Sequence, residues 1–194
     1  MKKSILLLIA LLMVSHSLSA QLEFSWGIRG GADMTSLSSD KSGTTYDPVI
    51  GYYGGAQFIT HFSPSTRMSI GLTLSKEGAD YTYKADGSKG KIDLTYIKDE
   101  MVFESNISRR FVADYGLSID IPYSGKSKPD NGSSTDFSEN MPILQLSIVA
   151  GCGVLIGKHT WIQLRMYPMS TKIRKDINEK IRRLDIQLGL MYAF

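Results

Sequence analysis

The chain has 194 residues, with 22 lysines and arginines against 19 aspartates and glutamates, and a formal net charge of +3. This small positive excess, without a basic run interleaved with aromatic residues, argues against a nucleic-acid-binding protein. The single cysteine, Cys152, excludes an internal disulfide, and the length suits one domain with a sizeable core.

The first twenty residues have the pattern of a secretory signal peptide. Two lysines precede an apolar run over residues 5–14, and a small-residue segment ends at Ala20. The apolar run is shorter than the roughly 20 residues that a membrane-spanning helix needs. We therefore predict that residues 1–20 are a cleaved signal and that residues 21–194 form one domain.

Apolar and polar residues alternate through most of the remaining chain. Near its start, Phe24, Trp26 and Ile28 alternate with residues that include Arg29 and Asp33. Because successive side chains of a β-strand point to opposite faces, this period of two indicates strands with one apolar and one polar face. The pattern predicts eight strands, at approximately residues 22–34, 50–62, 67–77, 92–107, 111–121, 144–154, 161–167 and 183–194.

The predicted connections between these strands alternate in length. Since consecutive antiparallel connections lie at opposite ends of a sheet, all the long loops share one end and all the short turns share the other. This asymmetry is typical of outer-membrane barrels, which have short periplasmic turns and longer external loops. The long polar loops are expected at residues 35–48, 78–91, 122–141 and 168–180, and the short turns at residues 63–66, 108–110 and 157–159.

The distribution of charge favours a membrane barrel over a soluble one. The apolar faces are almost free of charge and are edged by aromatic residues, whereas the polar faces carry charges of both signs. In a membrane only the outer surface meets lipid, so we expect the apolar faces to point outward and the charges to pair across the lumen. An eight-stranded barrel is just wide enough for side chains to fill it, so we expect no open channel. The predicted lumen charges are Arg29, Asp33, Arg67, Glu77, Asp114, Arg165 and Asp185.

The fourth predicted strand carries one exception to the alternation. Asp99 falls on the face that holds Ile97, Met101 and Phe103. A carboxylate is out of place on an apolar face, so we expect either a β-bulge in this strand or a position above the membrane.

Three short motifs connect the chain to a known family. The first strand contains GIRGGADMTSL at residues 27–37, the second contains GYYGGA at residues 51–56, and the last strand ends on Phe194, two residues after Tyr192. Together with the signal peptide, these motifs resemble the small outer-membrane β-barrel family that includes PorT-like proteins. The resemblance implies an all-β, eight-stranded antiparallel up-and-down transmembrane β-barrel in a Gram-negative outer membrane. It also implies that the barrel-insertion machinery reads Tyr192 and Phe194 as an insertion signal.

One pair of residues suggests a catalytic alternative. His61-Phe62-Ser63 resembles the His-x-Ser pair of barrel lipid A deacylases, in which histidine is the general base and serine the nucleophile. The pair lies beside a predicted periplasmic turn, away from the outer leaflet that holds this lipid, so a structural role for His61 is favoured. The histidine, cysteine and acidic residues show no metal-ligand spacing, and we expect no catalytic residue, metal or other cofactor.

These patterns lead us to expect a monomeric, non-enzymatic protein that is embedded in outer-membrane lipid and binds an external protein or ligand through four long loops. The loop tyrosines Tyr46, Tyr81, Tyr83 and Tyr123 either form such a binding surface or cap the mouth of the barrel. Two alternatives remain open: a lipid-acting barrel enzyme, and a soluble secreted barrel that carries a small ligand in an apolar interior.

Overall fold

In a computed structural model, the chain forms one antiparallel sheet of eight long strands and one strand of two residues. The structure describes residues 23–39, 43–130, 132–169 and 181–194. The strands are β1 (Glu23–Ser39), β2 (Thr44–Ser63), β3 (Thr66–Tyr83), β4 (Lys89–Asn106), β5 (Phe111–Pro129), β6 (Thr135–Asp136), β7 (Gln145–Leu155), β8 (Thr160–Met169) and β9 (Ile181–Ala193). A short 3-10 helix, Ser138–Asn140, lies between β6 and β7. In the part of the chain that the structure describes, no helix is long and apolar enough to cross a membrane.

Hydrogen bonds join the eight long strands into a closed ring. The order around the ring is β1, β2, β3, β4, β5, β7, β8 and β9, and β9 pairs with β1 to close it. All of these pairings are antiparallel. Closure removes the exposed strand edges that a sheet cannot have in hydrocarbon. The predicted fold class, an all-β eight-stranded up-and-down barrel, is confirmed.

The barrel has an apolar outer surface and a polar interior. Leu72, Ile148 and Leu188 are 61%, 60% and 53% exposed on the outside, whereas Asp33 and Asp185 are fully buried on the inside. The strands therefore present their apolar faces outward, which is the reverse of a soluble barrel. An apolar surface of this extent is suited to lipid acyl chains rather than to water.

The strands on one side of the barrel are longer than the sequence pattern predicts. β1 to β5 contain 17, 20, 18, 18 and 19 residues, whereas β7, β8 and β9 contain 11, 10 and 13. The predicted long loops at 35–48 and 78–91 are therefore wrong. Only residues 40–43 separate β1 from β2, and only residues 84–88 separate β3 from β4.

The extra strand length has a physical reason. Backbone hydrogen bonds hold an antiparallel ladder together, so polar residues continue it as well as apolar ones do. In β3, the apolar side chain of Leu74 points outward, but Ala79 and Tyr81 point inward and are buried. The side chains still alternate between the two faces, but the apolar ones now lie on the inner face. The pattern of outward apolar residues therefore ends here, and the segment resembles a loop.

The other two predicted long loops also begin later than expected. β5 continues to Pro129, so the predicted loop 122–141 includes eight residues of β5 as well as the two residues of β6. The predicted loop 168–180 includes the end of β8 at Met169, and its residues 170–180 lie outside the described residues. The three short turns join β2 to β3, β4 to β5 and β7 to β8, as predicted.

Asp99 of β4 lies on the outer surface at a regular position of the ladder. It pairs with Leu72 of β3 and Ile119 of β5, which are both exposed apolar residues. The register shift between β4 and β5 falls at Thr95 and Tyr96 and does not change the face on which Asp99 lies. Both expected explanations are therefore wrong, because Asp99 is neither at a bulge nor above the apolar surface.

Candidate functional site

The interior of the barrel is filled by a network of buried charges, which we call the polar core. The Arg165 guanidinium of β8 contacts Asp114, Glu104 and Glu100 at 2.8, 3.1 and 3.3 Å. Arg29 of β1 donates to Glu100 at 2.5 Å. Charge-assisted hydrogen bonds of this kind are strong in a low-dielectric interior, so Arg165 ties β8 to β4 and β5 across the lumen. The polar core consists of Arg29, Asp33, Arg67, Glu77, Lys98, Glu100, Glu104, Asp114, Asp120, Arg165, Arg183 and Asp185.

A second group of ion pairs in the polar core lies closer to the end that carries the long connections. Lys98 contacts Glu77 at 2.7 Å and also binds Asp185. Arg183 contacts Glu77 at 3.1 Å and also binds Asp120. All five side chains are buried, so the loss of Lys98 or Arg183 would leave a buried carboxylate, Asp185 or Asp120, without its cation.

Three carboxylates of the polar core lie close enough together to hold a metal ion. One oxygen from each of Asp33, Glu77 and Asp185 lies within 4.8 Å of the others. Lys98 already binds Glu77 and Asp185, and Asp33 accepts a hydrogen bond from the Gln187 amide at 3.0 Å. The lysine therefore supplies the positive charge that a metal ion would bring to these carboxylates.

Apolar layers close both ends of the polar core. One layer includes Phe137 and Met141, which reach into the barrel from the connection between β5 and β7. The polar core lies between this layer and a second one at the opposite end. We call these layers the loop-end cap, which consists of Leu37, Ala79, Leu94, Tyr96, Phe137, Met141 and Ile181, and the turn-end cap, which consists of Ile59, Val112, Trp161, Met191 and Ala193.

The structure places the seven lumen charges that the sequence predicts inside the barrel, in two groups. Arg67 is the least enclosed of them: its side chain is 11% exposed and its guanidinium lies 4.4 Å from the centre of the Trp161 ring. Arg29, Arg67, Asp114 and Arg165 belong to the network around Glu100 and Glu104, whereas Asp33, Glu77 and Asp185 lie together nearer the loop end.

Five members of the polar core are absent from the sequence prediction. Asp120 and Arg183 lie on the polar face of their strands, so the alternation alone contains the signal that identifies them. Lys98 and Glu100 flank Asp99, whose charge on the apolar face obscures the alternation of β4. The missed residues are Lys98, Glu100, Glu104, Asp120 and Arg183.

The four tyrosines that were predicted in loops lie in strands and divide into two pairs. Tyr46 packs against the loop-end cap, and Tyr81 is 6% exposed, with its hydroxyl 3.2 Å from that of Ser127. Tyr83 and Tyr123 are 47% and 71% exposed. The first pair covers the mouth of the barrel, and the second pair is accessible on its surface.

His61 and Ser63 have separate hydrogen-bond partners. The His61 Nε2 atom lies 3.2 Å from the Ser25 hydroxyl, and the Ser63 hydroxyl lies 3.2 Å from that of Ser65. A general base must be within hydrogen-bond reach of the nucleophile that it activates. The arrangement therefore does not bring the two side chains together as a base and its nucleophile.

Tyr192 and Phe194 are neighbours on the outer surface at the turn end of β9. Their ring centres are 5.1 Å apart, and the Phe194 N–H donates to the Trp26 carbonyl of β1 at 2.8 Å. The last residues therefore complete the pairing that closes the barrel. Their recognition by the insertion machinery stays a prediction.

The fold and the distribution of polar residues define a class of protein. A closed antiparallel barrel with an apolar outside and a charged inside is the form in which β-strands cross a membrane. With eight long strands and an interior filled by side chains, this chain is a small transmembrane barrel rather than a wide pore.

The chain belongs to the family described as outer membrane protein beta-barrel domain, whose family model matches residues 4–194. Ail, the attachment invasion locus protein of Yersinia pestis, solved in complex with the heparin analogue sucrose octasulfate, is 14% identical with a TM-score of 0.54; the match covers 89% of this chain and 99% of Ail. Neisserial surface protein A, NspA, is 14% identical with a TM-score of 0.57 over 89% of this chain and 99% of NspA. No curated protein matches the chain.

These comparisons confirm the predicted family and location, the outer membrane of a Gram-negative bacterium. The alternative of a soluble secreted barrel is therefore wrong. The comparisons do not confirm a particular relation to PorT-like proteins. The predicted signal peptide, residues 1–20, lies outside the described residues.

Proposed function

We propose that this chain is a non-enzymatic, monomeric outer-membrane protein that binds an extracellular protein or ligand through the part of the barrel outside the membrane. We base the proposal on the extra length of β1 to β5. The segments that extend beyond the membrane form a surface that we call the external wall. Because the wall is paired strand, it offers an ordered surface rather than a set of flexible loops. The external wall consists of residues 35–39, 44–49, 77–83, 89–95 and 122–129 of β1 to β5.

Strand length supports the position of the wall outside the membrane. At about 3.4 Å per residue and a tilt near 45°, the 20 residues of β2 cover about 48 Å along the membrane normal. The apolar band of an outer-membrane barrel is only about 25 Å tall. Because a short turn follows Phe62 at the periplasmic end, most of the excess lies on the external side.

The loop-end cap supports the wall from inside. Phe137 and Met141 pack so closely on Gly125 of β5 that a Cβ atom there would lie 2.6 Å from both side chains. The Phe137 N–H also donates to the Gly125 carbonyl at 2.9 Å. A surface held in place before binding loses less conformational entropy when a partner arrives.

The accessible groups of the external part are of types that contribute strongly to binding. Tyr83 and Tyr123 are 47% and 71% exposed, and tyrosine is enriched among residues that dominate interface energies. Asp86, in the hairpin between β3 and β4, accepts hydrogen bonds from the backbone N–H and the hydroxyl of Ser88, which lower the pKa of its carboxyl. The Asp86 carboxylate is therefore ionised at neutral pH and held in one position by Ser88.

The interior supports a role without transport or catalysis. The polar core is paired and lies between two apolar caps, which favours a barrel that does not conduct ions. The contact of His61 with Ser25 gives the lipid-acting enzyme less support, because Ser63 then lacks a base. We therefore favour binding at the external wall over both alternatives.

The proposal is tested with cells that produce the protein, applied to arrays of extracellular-matrix proteins and glycans. We expect adhesion to at least one of these probes, and a loss of about tenfold or more in the double variant Tyr83→Leu/Tyr123→Leu. Tyr115→Leu is the matched control, because Tyr115 is 52% exposed on the lipid-facing surface and not on the wall.

Two results would contradict the proposal. The first is adhesion no greater than that of cells without the protein, or adhesion that the double variant retains. The second is a steady ionic current through the purified protein in a planar lipid bilayer, since the polar core and caps require a closed lumen. Changed lipid A that reverts on Ser63→Ala would instead support the enzyme.

A further inference from the structure

A concavity of about 340 Å³ lies on the outer surface, where the external wall meets the apolar part of the barrel. One side of it is apolar, with Ile50 75% exposed, and the other side carries lysines. Three lysines, Lys76, Lys91 and Lys128, line it together with two carboxylates, Asp93 and the buried Glu77.

The concavity is built into the ladder. The pairing of β2 with β3 shifts register between Pro48 and Tyr52, so the backbone between them leaves the regular ladder. At Gly51 the two strands approach so closely that a Cβ atom would lie 1.8 Å from the Lys76 carbonyl oxygen. Only glycine fits this approach, and the shape of the site is therefore a property of the fold rather than of mobile side chains.

The position of Lys76 places the site at the level of the outer-leaflet head groups. On the outer face of β3, Lys76 follows Leu72 and Leu74, which are 61% and 55% exposed. Its ammonium group lies 5.8 Å from the centre of the Tyr52 ring, an arrangement typical of the aromatic border of a membrane barrel. Lys76 is thus the first charged residue beyond the apolar run of its strand.

The lysines of the concavity are only partly neutralised. Lys128 pairs with Asp93 at 2.6 Å. Among the described residues, Lys76 and Lys91 have no carboxylate in ion-pair contact, although Asp80 is opposite Lys91 in the ladder. Two ammonium groups therefore remain available to an anion at this border.

We propose that the concavity binds a phosphorylated glycolipid of the outer leaflet. Its phosphate lies between Lys76 and Lys91, and its acyl chains lie on the apolar surface beside Leu72 and Leu74. Lysine binds phosphate as a point charge, and a basic residue near an anionic membrane surface gains further from the surface potential. The adjacent apolar surface distinguishes a lipid from a free anion, and the site acts independently of any extracellular partner.

The test is native mass spectrometry of the full protein in mild detergent, titrated with lipid A, with dephosphorylated lipid A and with inorganic phosphate. The test variant is Lys76→Gln/Lys91→Gln. The matched control is Lys84→Gln/Lys89→Gln, which removes the same charge from exposed lysines outside the concavity. Lys76→Arg/Lys91→Arg restores the charge, and the mobility shift on heating verifies that each variant is folded.

We expect the wild type, the matched control and the arginine variant to bind lipid A, and the test variant to bind it about tenfold or more weakly. Equal losses in the test and control variants would overturn the proposal, because they would indicate a general charge effect. Equal binding of dephosphorylated lipid A would overturn it in favour of apolar contact alone. Binding of inorganic phosphate as tight as that of lipid A would indicate a free-anion site instead.

Discussion

The barrel wall has two unequal parts. β1 to β5 contain 17 to 20 residues each, whereas β7 to β9 contain 10 to 13. At about 3.4 Å per residue and a tilt near 45°, the 11 residues of β7 cover about 26 Å, which is close to the apolar band of about 25 Å. The short part therefore spans little more than the membrane, and the long part continues into the external space.

This difference shows that a single strand can pass through two environments, lipid and then water, which favour apolar side chains on opposite faces. Within the band, β3 and β4 point Leu72 and Met101 outward to lipid and charged residues inward. In the external wall the same strands bury Ala79 and Leu94 inside, against Phe137 of the loop-end cap. In both regions the apolar side chains avoid water. They therefore lie on the outer face where lipid surrounds the barrel and on the inner face where water does.

The largest expected effect concerns the link between the two parts. Arg165 lies on the short part, and its partners Glu100, Glu104 and Asp114 lie on the long part. Arg165→Met leaves three buried carboxylates without this cation, so we expect a loss of about 3–5 kcal/mol in the free energy of unfolding, or failure to fold. Urea unfolding of the barrel in lipid vesicles measures this loss.

The control for that experiment is Arg182→Met, which removes an arginine that is exposed on the outside of β9. It should change the free energy of unfolding by no more than about 0.5 kcal/mol. Similar losses for the two variants would mean that the Arg165 ion pairs do not hold the parts together.

The second prediction compares outward positions in the two parts. Leu188 lies on the lipid-facing surface of β9, and Leu188→Arg should cost about 2–4 kcal/mol if it lies at the bilayer midplane. Thr45 is exposed on the external wall of β2, and Thr45→Arg should cost no more than about 0.5 kcal/mol. The same vesicle unfolding assay measures both. A cost at Thr45 equal to that at Leu188 would place the wall in lipid and would remove the distinction.

The smallest effect concerns the lone charge on the apolar surface. Asp99 lies between Leu72 and Ile119. On the lipid-facing surface a basic side chain costs about 2–4 kcal/mol of stability at the bilayer midplane, and an acidic side chain costs less. We therefore expect Asp99→Leu to stabilise the barrel in vesicles by about 1 kcal/mol. Asp47→Leu, on the exposed external wall, should bring no such gain; a loss of stability in Asp99→Leu would show that the carboxylate makes a favourable contact in the membrane.

Residue alternation predicts the facing of strands wherever one face meets lipid. It places Phe24, Trp26, Leu188 and Leu190 outward, and the structure agrees. It fails in the external wall, because the apolar residues there change faces and the single pattern is interrupted. A sequence reading that allows this reversal of phase at the membrane border would have extended β1 to β5.

The pairing within the polar core was beyond prediction for a different reason. Lys98 meets Asp185 across 87 positions of the chain, and this contact depends on the register of every strand between them around the ring. Alternation determines which face a residue occupies, but it does not determine the height at which opposite strands meet. The candidate lumen charges were therefore predictable as a set, and their partners were not.

Hydrogen–deuterium exchange of the protein in lipid nanodiscs tests most directly whether the long strands form an ordered wall outside the membrane. We predict that the amides of residues 77–83 and 89–95 exchange at least about a hundredfold more slowly than those of Ala85 and Asp86 in the hairpin at 84–88, because they are paired in the ladder although water surrounds them. Exchange of all three segments at the same fast rate would contradict the account, and would return these residues to a flexible loop.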